Sequence, residues 1–144
     1  MKNYDIIVIG FGKAGKTLAV KAANLGKKVA VIEKSAQMYG GTCINIGCIP
    51  TKKLVNLSKE AQYVNNNVAG EYFTLSIEKK DALVSALRAK NFAMLDGNAN
   101  IDVINGTAKF IDKNSIEVTA TDGSKSVITA PTIVINTGSI NEKP

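Results

Sequence analysis

Apolar residues fall into three patterns along this chain, and each predicts a different kind of element. The run Tyr4-Asp5-Ile6-Ile7-Val8-Ile9 stops at Gly10 and predicts a buried parallel strand over 4–9. Ala14, Leu18, Ala22 and Leu25 follow at helical spacing, and Gly26 stands where a C-terminal helix cap belongs, so 13–25 is expected to be a helix. Val29-Ala30-Val31-Ile32-Glu33 is a second buried run. The first 33 residues therefore predict one β-α-β unit.

A loop over 34–41 leads to Cys43 and Cys48. Pro50 suits the first turn of a helix, and Leu54, Leu57, Ala61 and Val64 form its apolar stripe up to about residue 65. Asn65-Asn66-Asn67 and Gly70 are expected to break it. A further helix is expected over 78–95, with Leu83, Val84, Leu87 and Met94 inside. Beyond it the period changes. Ile101–Ile104 reads as a short strand. The stretches 106–110, 115–119 and 125–129 alternate and are separated by Asp112-Lys113-Asn114 and Asp122-Gly123, the signature of a small antiparallel meander. Thr132–Asn136 is a last buried strand before Thr137-Gly138-Ser139.

Composition narrows the classes. The 144 residues suit about one domain, with 45% hydrophobic and 21% charged residues. The net charge of +6 comes from scattered lysines without interleaved aromatics, which predicts solvated faces and no nucleic-acid surface. No apolar run reaches the roughly 18 residues a membrane span needs. The N-terminal apolar stretch is also too short for a secretory leader, so a cytoplasmic protein is expected, away from membranes. With two cysteines and no histidine, the common closed zinc sites cannot be built, and no metal site is expected. Redox chemistry or inert thiols remain for the cysteines.

Two constellations carry chemistry. Gly10-Phe11-Gly12-Lys13-Ala14-Gly15 is G-x-G-x-x-G placed after a strand and at the opening of a helix. In that setting Gly10 permits the tight turn, Gly12 admits a pyrophosphate and Gly15 lets helix and strand approach. The helix N-terminus offers free N–H groups to phosphate. Glu33 lies 18 residues beyond Gly15 and can accept the hydroxyls of a ribose while repelling a 2′-phosphate, which favours FAD or NAD over NADP. The second constellation is Gly40-Gly41-Thr42-Cys43-Ile44-Asn45-Ile46-Gly47-Cys48-Ile49-Pro50-Thr51-Lys52. Its cysteines, at i and i+5, can close a small disulfide ring at the start of a helix, where a thiol pKa is lowered.

Together these motifs resemble the pyridine nucleotide–disulfide oxidoreductases, along all 144 residues. Within that family the two motif stretches look like the bacterial branch for reactive-chlorine resistance, associated with hypothiocyanite-type oxidants and copper(II). The resemblance implies an α/β, Rossmann-like FAD-binding domain with a parallel sheet and a small antiparallel β-meander. It implies that Gly10, Gly12, Lys13, Ala14, Gly15, Glu33, Lys34, Gly41, Thr42, Thr137 and Gly138 hold FAD. Cys43 would be the thiol that attacks substrate, Cys48 the thiolate against the flavin, and Lys52 a cation near it. Electrons would come from NADH or NADPH and leave to a small-molecule oxidant or disulfide substrate. Full-length members are homodimers.

The chain also departs from the family pattern. It holds one G-x-G-x-x-G, no histidine for the family's His–Glu pair, and Asn141 where proline is frequent. The expectation is therefore that 1–144 is the incomplete N-terminal portion of an FAD-binding domain, without the nicotinamide-binding and dimerisation domains. Such a piece is expected to hold FAD weakly and not to turn over alone. A non-catalytic dinucleotide-binding module is the alternative. A flavin-free thiol switch would leave Glu33 and the glycines unexplained.

Overall fold

The computed structural model describes residues 2–63 and 69–139. Its elements are β1 Lys2–Asn3, β2 Ile6–Ile9, α1 Lys13–Asn24, β3 Val29–Glu33, α2 Thr42–Asn45, α3 Cys48–Ala61, α4 Ala69–Asp96, β4 Ile101–Asn105, β5 Thr107–Phe110, β6 Ser115–Thr119, β7 Lys125–Thr129 and β8 Thr132–Ile135. A short 3-10 turn, Ala36–Met38, precedes α2.

The expected α/β architecture is present. Strands β4-β3-β2-β8 form a parallel sheet, and β1-β7-β6-β5 form a second sheet. The pairs β5–β6 and β6–β7 are the antiparallel meander. Its turns close as the Asp signals predict: the Asp112 and Asp122 carboxylates accept from the backbone N–H of Asn114 and Ser124, and Gly123 takes φ +83°. The parallel pairing of β1 with β7 was not foreseen, because two polar residues carry no strand pattern.

Unbroken apolar runs in β2 and β3 have a simple cause: both faces of the parallel sheet are covered. On one face Val8, Val29 and Val31 pack with Phe11, Ala19, Ala22, Ala23, Tyr39 and Leu95. On the other, Ile7, Ala30 and Ile32 pack against Ile116, Val118 and Ile128 of the meander. Removing one of these isoleucines to alanine is worth roughly 2–5 kcal/mol.

Three helical details differ from expectation. Helix α1 buries Gly15, Ala19, Ala22 and Ala23, while Leu18 and Leu25 are exposed. Small residues let the helix lie close on the sheet, so of the expected stripe Ala22 is buried while the larger leucines are not. Helix α4 starts well before Glu78 and runs through Gly70. The Tyr72 hydroxyl donates to the Leu57 carbonyl (3.2 Å), tying the first turns of α4 to α3, and this packing outweighs the glycine penalty. Within α4, Leu95 is fully buried and Met94 is exposed. The buried seam also holds Ser76 and Asn91, two polar residues that mask its period. Val64 and Asn65–Asn67 lie outside the described residues.

Among the described residues no helix is long and apolar enough to cross a membrane.

Candidate functional site

The site lies at the carboxyl ends of β2, β3 and β8. Strand β2 has β3 on one side and β8 on the other, so the chain order reverses there. In open parallel sheets that crevice is where ligands sit.

The glycine loop fills it tightly. Gly10 takes φ +104°, and a Cβ there would lie 2.3 Å from the Asn136 carbonyl oxygen. A Cβ at Gly15 would lie 2.6 Å from both Val8 Cγ1 and Asn136 Nδ2. At Gly12 it would be 2.9 Å from Asn136 Nδ2. All three glycines of the fingerprint thus make room for one residue, Asn136, whose Nδ2 also donates to the Gly10 carbonyl at 3.0 Å. Sequence reading passed over Asn136 because its partners lie more than a hundred residues away.

Glu33 ends β3 and is buried at 8% exposure. Its Oε2 accepts from the Phe11 N–H at 2.9 Å and its Oε1 from the Ser35 N–H at 3.1 Å. A carboxylate has about four acceptor positions, so two remain for ligand hydroxyls. Beside it opens a cleft of about 170 Å³, lined by Gly10, Glu33, Lys34, Gly106, Thr107, Ala108 and Thr137 among others. Sequence reading missed its floor at Gly106–Ala108. Thr137 lines the cleft and is exposed; Gly138 follows it, also exposed, with φ +74° and open space where a side chain would stand.

Helix α1 begins at Lys13 with Gly12 as its N-cap. No side chain caps it, and its first turn holds no acidic residue. Its leading N–H groups are therefore capped by no side chain and meet no carboxylate of the first turn. Lys13 and Ala14 are exposed in that turn.

The cysteine turn is packed onto this loop. Gly40 N–H donates to the Phe11 carbonyl at 3.2 Å. A Cβ on Gly41, which has φ +82°, would lie 2.8 Å from Gly12 Cα. Tyr39 stacks between Phe11 and Phe92, with ring centroids 5.1 and 4.7 Å away, and its hydroxyl donates to Asn105 Oδ1 at 2.6 Å. Thr42 and Cys43 lie in α2, and Cys48 is the first residue of α3. Both cysteines are free and exposed. Pro50 falls in the first turn of α3, and Lys52 is exposed one turn beyond Cys48.

One expectation changes here. The Cys43 thiol is pushed up rather than lowered, first by its hydrogen bond with the Cys48 side chain, then by desolvation and the Cys48 charge, while the Lys13 charge works against this.

Two further side chains shape the turn. Asn45 Nδ2 donates to the carbonyls of Tyr39 (3.0 Å) and Gly41 (2.9 Å), and Arg88 Nε on α4 donates to Asn45 Oδ1 at 2.9 Å. Only one signal could have drawn attention to Arg88: it is the single arginine among 18 basic residues.

Comparison with known proteins agrees with this geometry. The family model for pyridine nucleotide-disulphide oxidoreductases matches residues 4–144. The chain is 49% identical to the probable pyridine nucleotide-disulfide oxidoreductase RclA of Escherichia coli strain K12, over 96% of this chain and 29% of that protein. It is 39% identical to a mercuric reductase of Lysinibacillus sphaericus, over 99% of this chain and 26% of the relative. Among solved structures it superposes on the Cu(II) complex of the HOCl-induced flavoprotein disulfide reductase RclA from Escherichia coli with a TM-score of 0.90. That match has 46% identity and covers all of this chain and 30% of the other. The chain thus spans under a third of the length of these relatives. By its sequence and by the fold that brings the two motifs together, the chain belongs to the pyridine nucleotide-disulphide oxidoreductase family.

Proposed function

We propose that residues 1–144 are the FAD-binding portion of an NADH- or NADPH-dependent disulfide reductase whose working dithiol is Cys43 and Cys48. The observation that carries this reading is the direct packing of the cysteine turn on the glycine loop, Gly41 against Gly12. A reducible sulfur pair and a phosphate cradle so joined serve one bound dinucleotide.

The residues present suit that cofactor. The α1 N-terminus, free of acidic side chains, suits a pyrophosphate, with Lys13, Ala14, Gly41 and Thr42 around it. Glu33 keeps acceptor positions for ribose hydroxyls, and the cleft bounded by Lys34, Gly106 and Thr137 suits the adenosine. Bound there, FAD would supply the relay of two electrons from the nicotinamide to the disulfide. Reduction of the Cys43–Cys48 bond takes up two electrons and two protons and leaves two thiols. Cys43, exposed in α2, is the thiol that meets substrate. Cys48, at the head of α3, is the sulfur kept on the flavin side, and Lys52 brings positive charge toward the reduced ring. The substrate class is a small oxidant or a disulfide, with hypothiocyanite-type oxidants and Cu(II) the specific candidates. Full-length protein would be a cytoplasmic homodimer.

Flavin fluorescence on titration of the chain with FAD tests the cofactor assignment. Saturable quenching is expected, with binding weak enough to be lost on gel filtration. Glu33→Ala should weaken it by about tenfold or more, the scale of a hydrogen bond to a charged acceptor. Quenching that is absent, or indifferent to Glu33, would refute the assignment. In a longer chain with the remaining domains, Cys48→Ser should abolish the long-wavelength absorbance that appears on two-electron reduction.

A further inference from the structure

Arg88 stands on α4, far along the chain from both cysteines, and takes no part in the cofactor cradle. Yet its guanidinium ties down both ends of the segment that carries Cys43. Its Nε donates to Asn45 Oδ1 at 2.9 Å, and its Nη1 donates to Gln37 Oε1. Gln37 lies in the 3-10 turn before the cysteine segment, and Asn45 is the last residue of α2. Asn45 in turn donates through Nδ2 to the carbonyls of Tyr39 and Gly41. Those carbonyls flank Gly40 and Gly41, whose φ angles are +93° and +82°, so the hydrogen bonds add to the main-chain bonds of Gly40 to Phe11 and of Gly41 to Met38 in fixing this backbone.

We propose that Arg88, acting through Asn45, is a positioning residue that sets the reach of Cys43 toward Cys48 and so the stability of their disulfide. The inference rests on the reading of those cysteines as a redox pair. Its logic is mechanical. Cys48 is fixed by α3, and α3 is tied to α4 through the Tyr72 hydroxyl. Cys43 is fixed by α2, and α2 is tied to α4 through Arg88. One long helix thereby holds both halves of the dithiol, and the effective concentration of one sulfur at the other depends on that common anchor. A guanidinium suits the task because its planar fork reaches two acceptors at once in fixed directions. Lysine, used at every other basic position of this chain, offers a point charge instead.

Equilibration of the chain with glutathione buffers of graded ratio, followed by alkylation and mass measurement, reads the proposal directly. In the exchange, two protein thiols and one oxidised glutathione give one protein disulfide and two reduced glutathiones. Arg88→Leu is expected to shift the constant about tenfold toward the dithiol, the equivalent of one charge-assisted hydrogen bond lost from the ordering of the turn. Arg88→Lys is expected to give about a threefold shift, since one ammonium cannot span both acceptors. A purely architectural role would lower the melting temperature and leave the exchange constant of the folded protein unmoved. An Arg88→Leu constant within twofold of the parent overturns the brace alone. Should circular dichroism show that Arg88→Leu does not fold, an unshifted Arg88→Lys constant overturns it instead. A parent chain that forms no intramolecular disulfide at any ratio refutes the redox reading, and the brace with it.

Discussion

The glycine loop and the cysteine turn touch each other but are held by different means. The loop is fixed by main-chain packing: Gly10, Gly12 and Gly15 close on β2, β8 and Asn136 with no room for a side chain. The cysteine turn is exposed at both sulfurs, and to its main-chain contacts with Phe11 and Gly12 it adds side-chain hydrogen bonds from Asn45 and, behind it, Arg88. The contrast suits the division of labour. On the function proposed above, a cradle for a resident cofactor would gain from rigidity, while sulfurs that exchange bonds would need access and a tunable spacing.

The comparison breaks most sharply at Gly10. Gly10→Ala places a Cβ 2.3 Å from a backbone oxygen at positive φ, and neither strand can yield. A loss of about 3 kcal/mol or more in urea denaturation is expected, from strain and overpacking together. A substitution on the cysteine side such as Cys43→Ser should cost far less stability, because the side chain is exposed. Asn136→Ala sharpens the contrast at lower cost. Loss of its bond to the Gly10 carbonyl and of its packing should remove about 1–2 kcal/mol and weaken FAD quenching, while leaving the glutathione exchange constant within twofold.

The smallest effect belongs to the far end of the sheet, where the Tyr4 hydroxyl donates to Asp102 Oδ2 at 2.5 Å. This bond is the chief cause that holds the Asp102 carboxyl below its ordinary value, with the nearby lysines adding and desolvation opposing. A depressed carboxyl pKa contributes stability that is present above the ordinary aspartate range and is lost as pH falls through the native value. Tyr4→Phe should therefore cost about 0.5–1 kcal/mol near neutrality, given that Asp102 is half exposed. The difference from the parent should shrink on acidification. A gap that widened at low pH would contradict this sign.

How much of this was legible beforehand follows from the same contrast. The β-α-β unit, the fingerprint, Glu33 and the meander are local patterns, and each fell where hydrophobic period and turn chemistry put it. On α1 and α4, Ala22 and Val84 are buried as expected, but Leu18 and Met94 are exposed because small or polar residues, Ala19 and Asn91 among them, share the buried side. Gly70 looked like a stop signal until the contact of Tyr72 with α3 was in view. Asn136 and Arg88 were invisible for a topological reason. Their roles depend on which strand ends at the glycine loop and which helix runs behind the cysteines, and no local stretch of sequence encodes either.

One contact gives the two turns a shared history. Since any side chain on Gly41 would run into the backbone of Gly12, a substitution in the sulfur-bearing segment presses on the glycine loop. The effect of a change at Gly41 is therefore expected to depend on the state of the glycine loop rather than to add to it. A reductase rebuilt for another dinucleotide must therefore redesign its sulfur-bearing segment in the same round.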